Sequence, residues 1–401
     1  MPPRITESAT EARQPDWSAV FAEAGLAFSD FSPVASRWAP PVYSDTRLAW
    51  EGTYPDRSDS PIRVEAGAFG GKPVYFEIVA PWIQAPGQRA APPVPLLGVA
   101  GFVLIMVAAV LLARRNLRLG RGDRRGAFRL GLWYGASLLL SMILHAHEAI
   151  PSVAVLSSAA FSGLFAWTVY IAVEPHVRRI WPEAIIGWNR LLAGRIRDPL
   201  VGRDLLVGAL AGLVLTDVTQ FARIGLPGII HLPPSPPVAP LPFDYLLLGG
   251  RWALSAIVEV FSLQVFIGLS FFLQLFVLNV VFRRRAVANV AMWAVLAVTG
   301  YVFAFTQDNP LFAAVLSVIL GAYTVIVLLR FGLLATIVCG IVGSLTALVP
   351  ISFDSSVPYV ESSYFIFATV ITIALYGFHT ALAGRPVFGP GFLKDQPANS
   401  P

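Results

Sequence analysis

From Pro93 onward the chain is a succession of apolar runs, each near the roughly 20 residues that a helix needs to cross a bilayer. Nine candidate spans can be counted, approximately Val94–Ala113, Leu130–Ala146, Val153–Val173, Leu205–Ala222, Trp252–Phe282, Val287–Phe305, Leu311–Leu329, Leu333–Ile351 and Tyr364–Leu382. The second and fourth are short, and the fifth is longer than one bilayer thickness and must tilt or project. Composition agrees: with 13% charged residues the chain cannot coat a soluble globule, and 56% of it is hydrophobic. The fold class expected is mainly α, a polytopic helical membrane bundle of about nine spans preceded by a small extracytoplasmic α+β domain.

The arginines set an orientation. Taking the loops alternately, one set holds Arg114, Arg115, Arg118, Arg121, Arg124, Arg125 and Arg129, then Arg178, Arg179, Arg190, Arg195, Arg197 and Arg203. Further along, the same set holds Arg283, Arg284, Arg285, Arg330, Arg385 and Lys394. The opposite loops between spans hold only Arg223 and Arg251. The positive-inside rule then puts the first set in the cytoplasm, the N-terminus outside and the C-terminus inside, in a bacterial inner membrane. The net charge of +5 has the same explanation, since the basic residues flank apolar segments, and no nucleic-acid partner is expected. The short links at Thr306–Pro310 and Arg330–Gly332 imply adjacent antiparallel packing of spans six, seven and eight.

Residues 1–15 are expected to be disordered, 16–92 to form the extracytoplasmic domain, 93–383 the bundle and 384–401 a cytoplasmic tail. Residues 1–92 carry 8 basic and 11 acidic side chains. Trp17, Val20, Phe21 and Ala24 recur at helical spacing behind Asp16, a natural N-cap, and predict a helix over 17–26. A proline-rich irregular stretch follows from Phe31 to Tyr43. Ile62, Val64, Ala66 and Ala68 alternate, Gly70-Gly71 supplies a two-residue turn, and Val74, Phe76 and Ile78 resume the alternation, which predicts a hairpin. The start lacks the apolar core of a signal peptide. Export of this domain is therefore expected to use the first span as a reverse signal anchor, or a membrane segment upstream of Met1. The proline-dense stretch from Gly225 to Tyr245 reads as an external loop in polyproline-like conformation.

Few groups suggest chemistry. His145, His147 and Glu148 resemble a metal patch, but residues two apart on a helix point about 200° from each other, which favours a polar helix end. The single cysteine, Cys339, excludes an intramolecular disulfide and every multi-cysteine metal site. Asp217 and Glu259 lie in spans four and five, where a carboxylate costs about 2.5–3.5 kcal/mol on insertion scales. With Arg223 and Arg251 they form a candidate intramembrane polar cluster, either ion pairs at the outer interface or the wall of a cavity for an ion or ligand. Gln264, Gln274 and Asn279 give span five a polar seam toward the bundle. Gly131 with Gly135 and Gly208 with Gly212 allow close helix approach. Kinase, P-loop and zinc-protease motifs are missing, so no catalytic residue, cofactor or metal is expected.

Trp181, Ile185, Trp188 and Leu192 fall on one helical stripe, with Arg178, Arg179, Asn189, Arg190 and Arg197 on the polar side. This describes an amphipathic helix near 177–197, lying in the cytoplasmic membrane interface, opened by Pro182 and ended by Asp198-Pro199. Arg178, Arg179, Trp181, Trp188 and Arg190 form the candidate surface for a cytoplasmic partner.

The phrases DWSAVFAEAGL, PVYSDTRLAWEGTYPDR, GKPVYFEIVAPW, LLARRNLRLGRGDRRGAFRL, AVEPHVRRIWPEAIIGWNRLLAGRIRDPLVGRDLLVGAL and YGFHTALAGRPVFG carry a resemblance over nearly the whole chain from about Asp16. It resembles the C-terminal membrane half of large bacterial serine/threonine protein kinases of the type found in acidobacteria. In that family a cytoplasmic catalytic domain precedes a membrane passage, an extracytoplasmic segment and a multi-span bundle. The resemblance implies a non-catalytic membrane module that anchors or senses for a kinase or other signalling partner, without kinase residues of its own. A transporter or ligand-binding protein using Asp217 and Glu259 is the alternative.

Overall fold

A computed structural model describes residues 15–40, 42–54, 57–79, 96–145, 153–225, 229, 250–304, 310–348, 351–355 and 360–384. It divides into two units, Met1–Gly101 and Phe102–Pro401.

The first unit is a four-stranded antiparallel meander with one helix. Helix α1 (Trp17–Glu23) starts where expected, because the Asp16 carboxylate accepts from the amides of Ser18 and Ala19 at 3.1 and 3.4 Å. It ends three residues earlier than its periodicity suggests, since Gly25 turns left-handed at φ +71 and Leu26 N–H closes back onto Phe21 O at 2.9 Å. Strands β3 (Arg57–Phe69) and β4 (Lys72–Val79) form the expected hairpin, with positive φ at both Gly70 and Gly71 and Phe69 opposite Lys72. The sequence reading missed β1 (Ser32–Val34) and β2 (Thr46–Tyr54), which extend the sheet in the order β1-β2-β3-β4. Alternation along β3 sends Ile62, Val64, Ala66 and Ala68 into one core with Trp17, Phe21, Phe31 and Trp50. Phe21 is fully buried there, its ring 5.0–5.3 Å from those of Phe28, Phe31, Trp50 and Phe76.

The second face of β3 holds a charged node. Arg63 Nη1 pairs with Glu51 at 2.6 Å and Arg63 Nε with Glu65 at 2.7 Å, while Nη2 donates to Ala35 O. Glu65 also accepts from Ser36 Oγ at 2.7 Å and Arg37 N–H at 3.0 Å. The stretch after β1 is thereby tied across the sheet by one glutamate. Burial alone would raise the Glu65 pKa, but the Ser36 hydroxyl, the Arg63 guanidinium and the Arg37 amide outweigh it and hold the carboxyl below its ordinary range.

The second unit is helical. After α2 (Leu96–Arg118) come α3 (Arg124–His145), α4 (Val153–Ile180), α5 (Pro182–Leu192), α6 (Pro199–Gln220) and α7 (Gly250–Phe282). They are followed by α8 (Arg285–Ala304), α9 (Pro310–Leu348) and α10 (Val360–Ala381). Among the described residues six helices are long and apolar enough to cross a membrane: α3, α4, α6, α7, α9 and α10. The chain is a multi-pass membrane protein. The first and sixth expected spans fall on α2 and α8, which are not among those six, so the expected nine spans are not shown.

Helix α9 covers expected spans seven and eight and breaks between them. Gly332 adopts φ 87 and ψ −173, a conformation open essentially to glycine alone, and the two arms fold back on each other. Tyr323 on the first arm donates to Ala211 O at 2.7 Å, and on the second arm Cys339 packs against Gly212 of the same α6 turn. Helix α8 lies antiparallel beside the first arm, with Gly300 against Ser317 and Trp293 Nε1 donating to Val318 O at 2.9 Å.

The glycine pairs perform the close packing expected of them. A Cβ on Gly131 or Gly135 would stand 2.8–2.9 Å from the carbonyls of Gly163 and Ala159 on α4. On Gly208 or Gly212 it would stand 2.6–2.7 Å from those of Ala335 and Cys339 on α9. The second and fourth spans are longer than their apolar runs, because charged first turns continue each helix beyond its hydrophobic part. Asp123 caps α3 through Gly126 N–H at 2.9 Å, and Asp198 caps α6 through Leu200 N–H at 3.0 Å.

Candidate functional site

Of the expected intramembrane charge cluster, the described side chains are those of Asp217, Arg251 and Glu259. Asp217 is exposed on α6, turned away from the α9 arm that covers its neighbour Thr216. Arg251 and Glu259 are eight residues apart on α7, about 12 Å along its axis. The Arg251 guanidinium caps the C-terminus of α3, donating to Leu144 O at 2.7 Å and Ile143 O at 3.4 Å, where a cation complements the helix dipole. Glu259 is half-buried. The Arg223 side chain lies outside the described residues, as do His147 and Glu148. His145 stands edge-on to the Trp252 ring at 4.9 Å. Among the described residues no group of three His, Cys, Asp or Glu side chains is placed to hold a metal.

Among the described residues, the polar side chains between α6, α7 and α9 that bond one another are uncharged. Gln264 does face inward, as the seam predicts, and donates to Ser344 Oγ at 2.9 Å. Thr216 Oγ1 meets Thr346 Oγ1 at 2.7 Å. These groups flank a cavity of about 360 Å³ between α6, α7 and both arms of α9, lined also by Thr324, Thr336 and Cys339. On the other side of α7, Ser262 and Ser255 meet Ser137 and Ser141 of α3 at 2.7 and 3.2 Å.

The charged groups gather at the arginine-rich end, around α5. Pro175 inside α4 has no N–H to give to Ile171 O, and the side chain of Asn116 on α2 supplies the missing donor at 2.9 Å. One residue earlier, Glu174 is buried to 1% exposure. Its Oε2 accepts from Asp123 N–H at 3.3 Å. Its Oε1 lies 3.2 Å from Arg178 Nε but makes no hydrogen bond among the described residues, so that pairing is Coulombic. Tyr170 OH donates to Asn189 Oδ1 at 3.0 Å and joins α4 to α5.

Helix α5 corrects two expectations. It spans 182–192 and stops at Gly194 (φ +83), where Arg195 N–H returns to Arg190 O at 2.9 Å. Asp198-Pro199 does not end it but opens α6. Its tryptophan stripe is not laid along lipid: Ile185 and Trp188 are buried in the bundle core, with Trp181 and Leu192 packed at its edge. An apolar stripe satisfies either solvent, and here the α9 turn provides the covering surface. A Cβ on Gly332 would stand 2.5 Å from Ala184 O, and Leu334 packs beside Gly187. Gly187 also accommodates the buried carboxylate of Asp204, which Arg203 holds at 2.9 Å.

Of the expected partner-surface residues, Trp188 is therefore inside the protein and Trp181 is half-covered. Arg178 pairs with Glu174. Arg190 grips both carboxylate oxygens of Asp198 at 2.6 and 2.7 Å. Burial would raise the Asp198 pKa, but Arg190 and the Leu200 amide lower it. Arg179, Glu183, Ile186, Arg195 and Arg197 remain exposed. Between α5, the start of α6 and the α9 turn lies a polar cleft of about 230 Å³ that includes Glu183, Arg203 and Arg330. The sequence reading missed Asn116, Asp123, Glu174, Asp204 and Gly332. Pro175 inside a helix was the one signal that called for a compensating donor.

No protein-family model matches the chain, and neither a curated protein nor a solved structure is similar to it.

Proposed function

We propose that this chain is a non-catalytic membrane module that anchors a serine/threonine kinase-type signalling protein and senses for it. In this reading nine spans cross a bacterial inner membrane, with the N-terminal sheet outside and the arginine-rich end in the cytoplasm. The observation that carries the reading is the seating of α5. Its buried face is wedged under the Gly332 turn and the start of α6, while Glu183 and Ile186 on its outer side, with Arg179 before it and Arg197 after it, stay exposed. A partner on that edge bears directly on the helices that wall the central cavity. The family resemblance supplies the class of partner.

Crosslinking and co-purification from the native host are expected to recover a kinase or other signalling protein, and to lose it in Ile186→Glu with Arg179→Glu. Repeated recovery of the bundle alone overturns the reading. Reporter fusions after residues 120, 190 and 390 should report cytoplasm, and those after 92 and 235 the opposite side. A cytoplasmic signal at 92 overturns the orientation.

A ligand-binding or transport protein is the second reading, favoured by the uncharged cavity rather than by Asp217 and Glu259. Solute binding that is lost in Gln264→Leu but kept in Asp217→Asn with Glu259→Gln would establish it over the first.

A further inference from the structure

Helices α3 and α4 bound an apolar groove of about 600 Å³. Its floor is made by the small residues at which the two helices approach, Gly131, Gly135 and Gly163, with Ala159 and Ala160 beside them. Phe128, Leu132 and Leu164 rise along its sides and are exposed, on two helices long and apolar enough to cross a membrane. From Phe128 to Leu139, both in the lining, α3 advances about 16 Å, close to half of a hydrocarbon core about 30 Å thick. The groove is therefore one leaflet deep. Phe128 and Trp167 stand at its arginine-side mouth, and an indole ring there suits the level of the headgroups.

The charge at that mouth is specific. Arg124 donates to Leu117 O at 3.2 Å and Arg129 to Leu192 O at 2.8 Å, so both are used in joining helices. Arg125 is exposed and continues the groove line of α3, three residues before Phe128 and seven before Leu132. Among the described residues it has no ion-pair or hydrogen-bond partner. We infer that the groove holds one acyl chain of an anionic glycerophospholipid from the arginine-side leaflet, with the lipid phosphate at Arg125.

The full chain, purified in detergent, is titrated with phosphatidylglycerol or phosphatidylcholine of equal chain length, and bound lipid is counted by native mass spectrometry. The anionic lipid should be retained about fivefold more strongly, the factor expected of one arginine near an anionic surface. Arg125→Gln should bring the ratio close to one without abolishing retention. Ala160→Leu, at an exposed position, should fill the groove and lower retention of both lipids; Ala136→Leu makes the same change from the α3 side if the first variant does not fold. Equal retention in the unsubstituted protein, a preference that survives Arg125→Gln, or lipid counts unchanged by both leucine variants would each overturn the inference. So would a dimer that Ala160→Leu dissociates, which would assign the groove to a second copy of the chain.

Discussion

The N-terminal sheet and the helical bundle bury polar groups in opposite ways. In the sheet a glutamate and an arginine are enclosed together, and Glu65 spends both oxygens on Arg63, Ser36 and Arg37. Beside the cavity in the bundle the contacts are between neutral groups, as at Thr216 with Thr346, Gln264 with Ser344 and Tyr323 with Ala211 O. The bundle's enclosed carboxylates, Glu174 and Asp204, are kept to the end where arginines lie. The surrounding medium accounts for the contrast. A charge node under a loop can be completed by water at its rim, whereas within a bilayer an incompletely paired charge has no such recourse. One chain therefore uses a buried ion pair to fix a loop and neutral hydrogen bonds to line the cavity between its helices.

The sharpest way to break this contrast is at Glu65. Glu65→Ala should destabilise the sheet by about 3 kcal/mol, because buried Arg63 keeps only the half-exposed Glu51 as its ionic partner and Ser36 and Arg37 lose their acceptor. Hydrogen exchange of the β2 and β3 amides in the full chain reads the effect. Replacing both members, Arg63→Met with Glu65→Leu, should cost far less. A double variant as unstable as the single one would show that the pair itself is required. The node also gives the sheet a pH limit. The Glu65 pKa is lower folded than unfolded, so its stabilisation is fully present above the ordinary value near 4.5 and is lost as pH falls through the folded value. Protection of β2 and β3 should fall in that acid range and stay flat from there to neutrality.

Of the same size is Gly332→Ala, expected to cost about 3 kcal/mol for a backbone conformation that side chains avoid. The estimate sits at the top of the usual range because the new Cβ also meets Ala184 O at 2.5 Å. Thermal unfolding in detergent should shift downward, and exchange should rise in α5 together with both arms of α9. Exchange confined to the turn itself would show that α5 is not wedged as described.

What was legible in the sequence follows the same division. Local signals were complete for Asp16 as a cap and for Gly70-Gly71 as a turn, since each acts within a few residues. The alternation that revealed β3 does not tell what covers its second face, where the stretch around Ser36 lies over Arg63 and Glu65. Strand β2 escaped because Arg47, Glu51 and Gly52 break its apolar rhythm. Gly131 and Gly208 announced close packing but not their partners, which lie at Gly163 and Ala335. The Trp181–Leu192 stripe announced an apolar contact, and periodicity does not distinguish lipid from protein. Asp217 and Glu259 attracted attention as carboxylates within apolar spans, while the cavity is lined by threonine, serine and glutamine, which carry no such flag.

A smaller effect tests the compensation at Pro175. Asn116→Leu leaves Ile171 O without a donor and should cost about 2 kcal/mol in thermal unfolding. In a Pro175→Ala background the restored backbone N–H can bond that carbonyl, so the same substitution should cost measurably less. Additivity of the two changes would show that Asn116 acts through another contact.

The smallest expected effect is inside the bundle. Thr216→Val removes the hydroxyl that meets Thr346 and should cost about 0.6 kcal/mol, the average for interhelical hydrogen bonds in membranes. The value is small because Thr346 Oγ1 keeps its own bond to Val342 O at 2.7 Å, so no polar group is orphaned by the change. A loss of several kcal/mol would place this contact with Glu65 rather than opposite it, and would mean that the bundle depends on its neutral bonds as strongly as the sheet depends on its charged one.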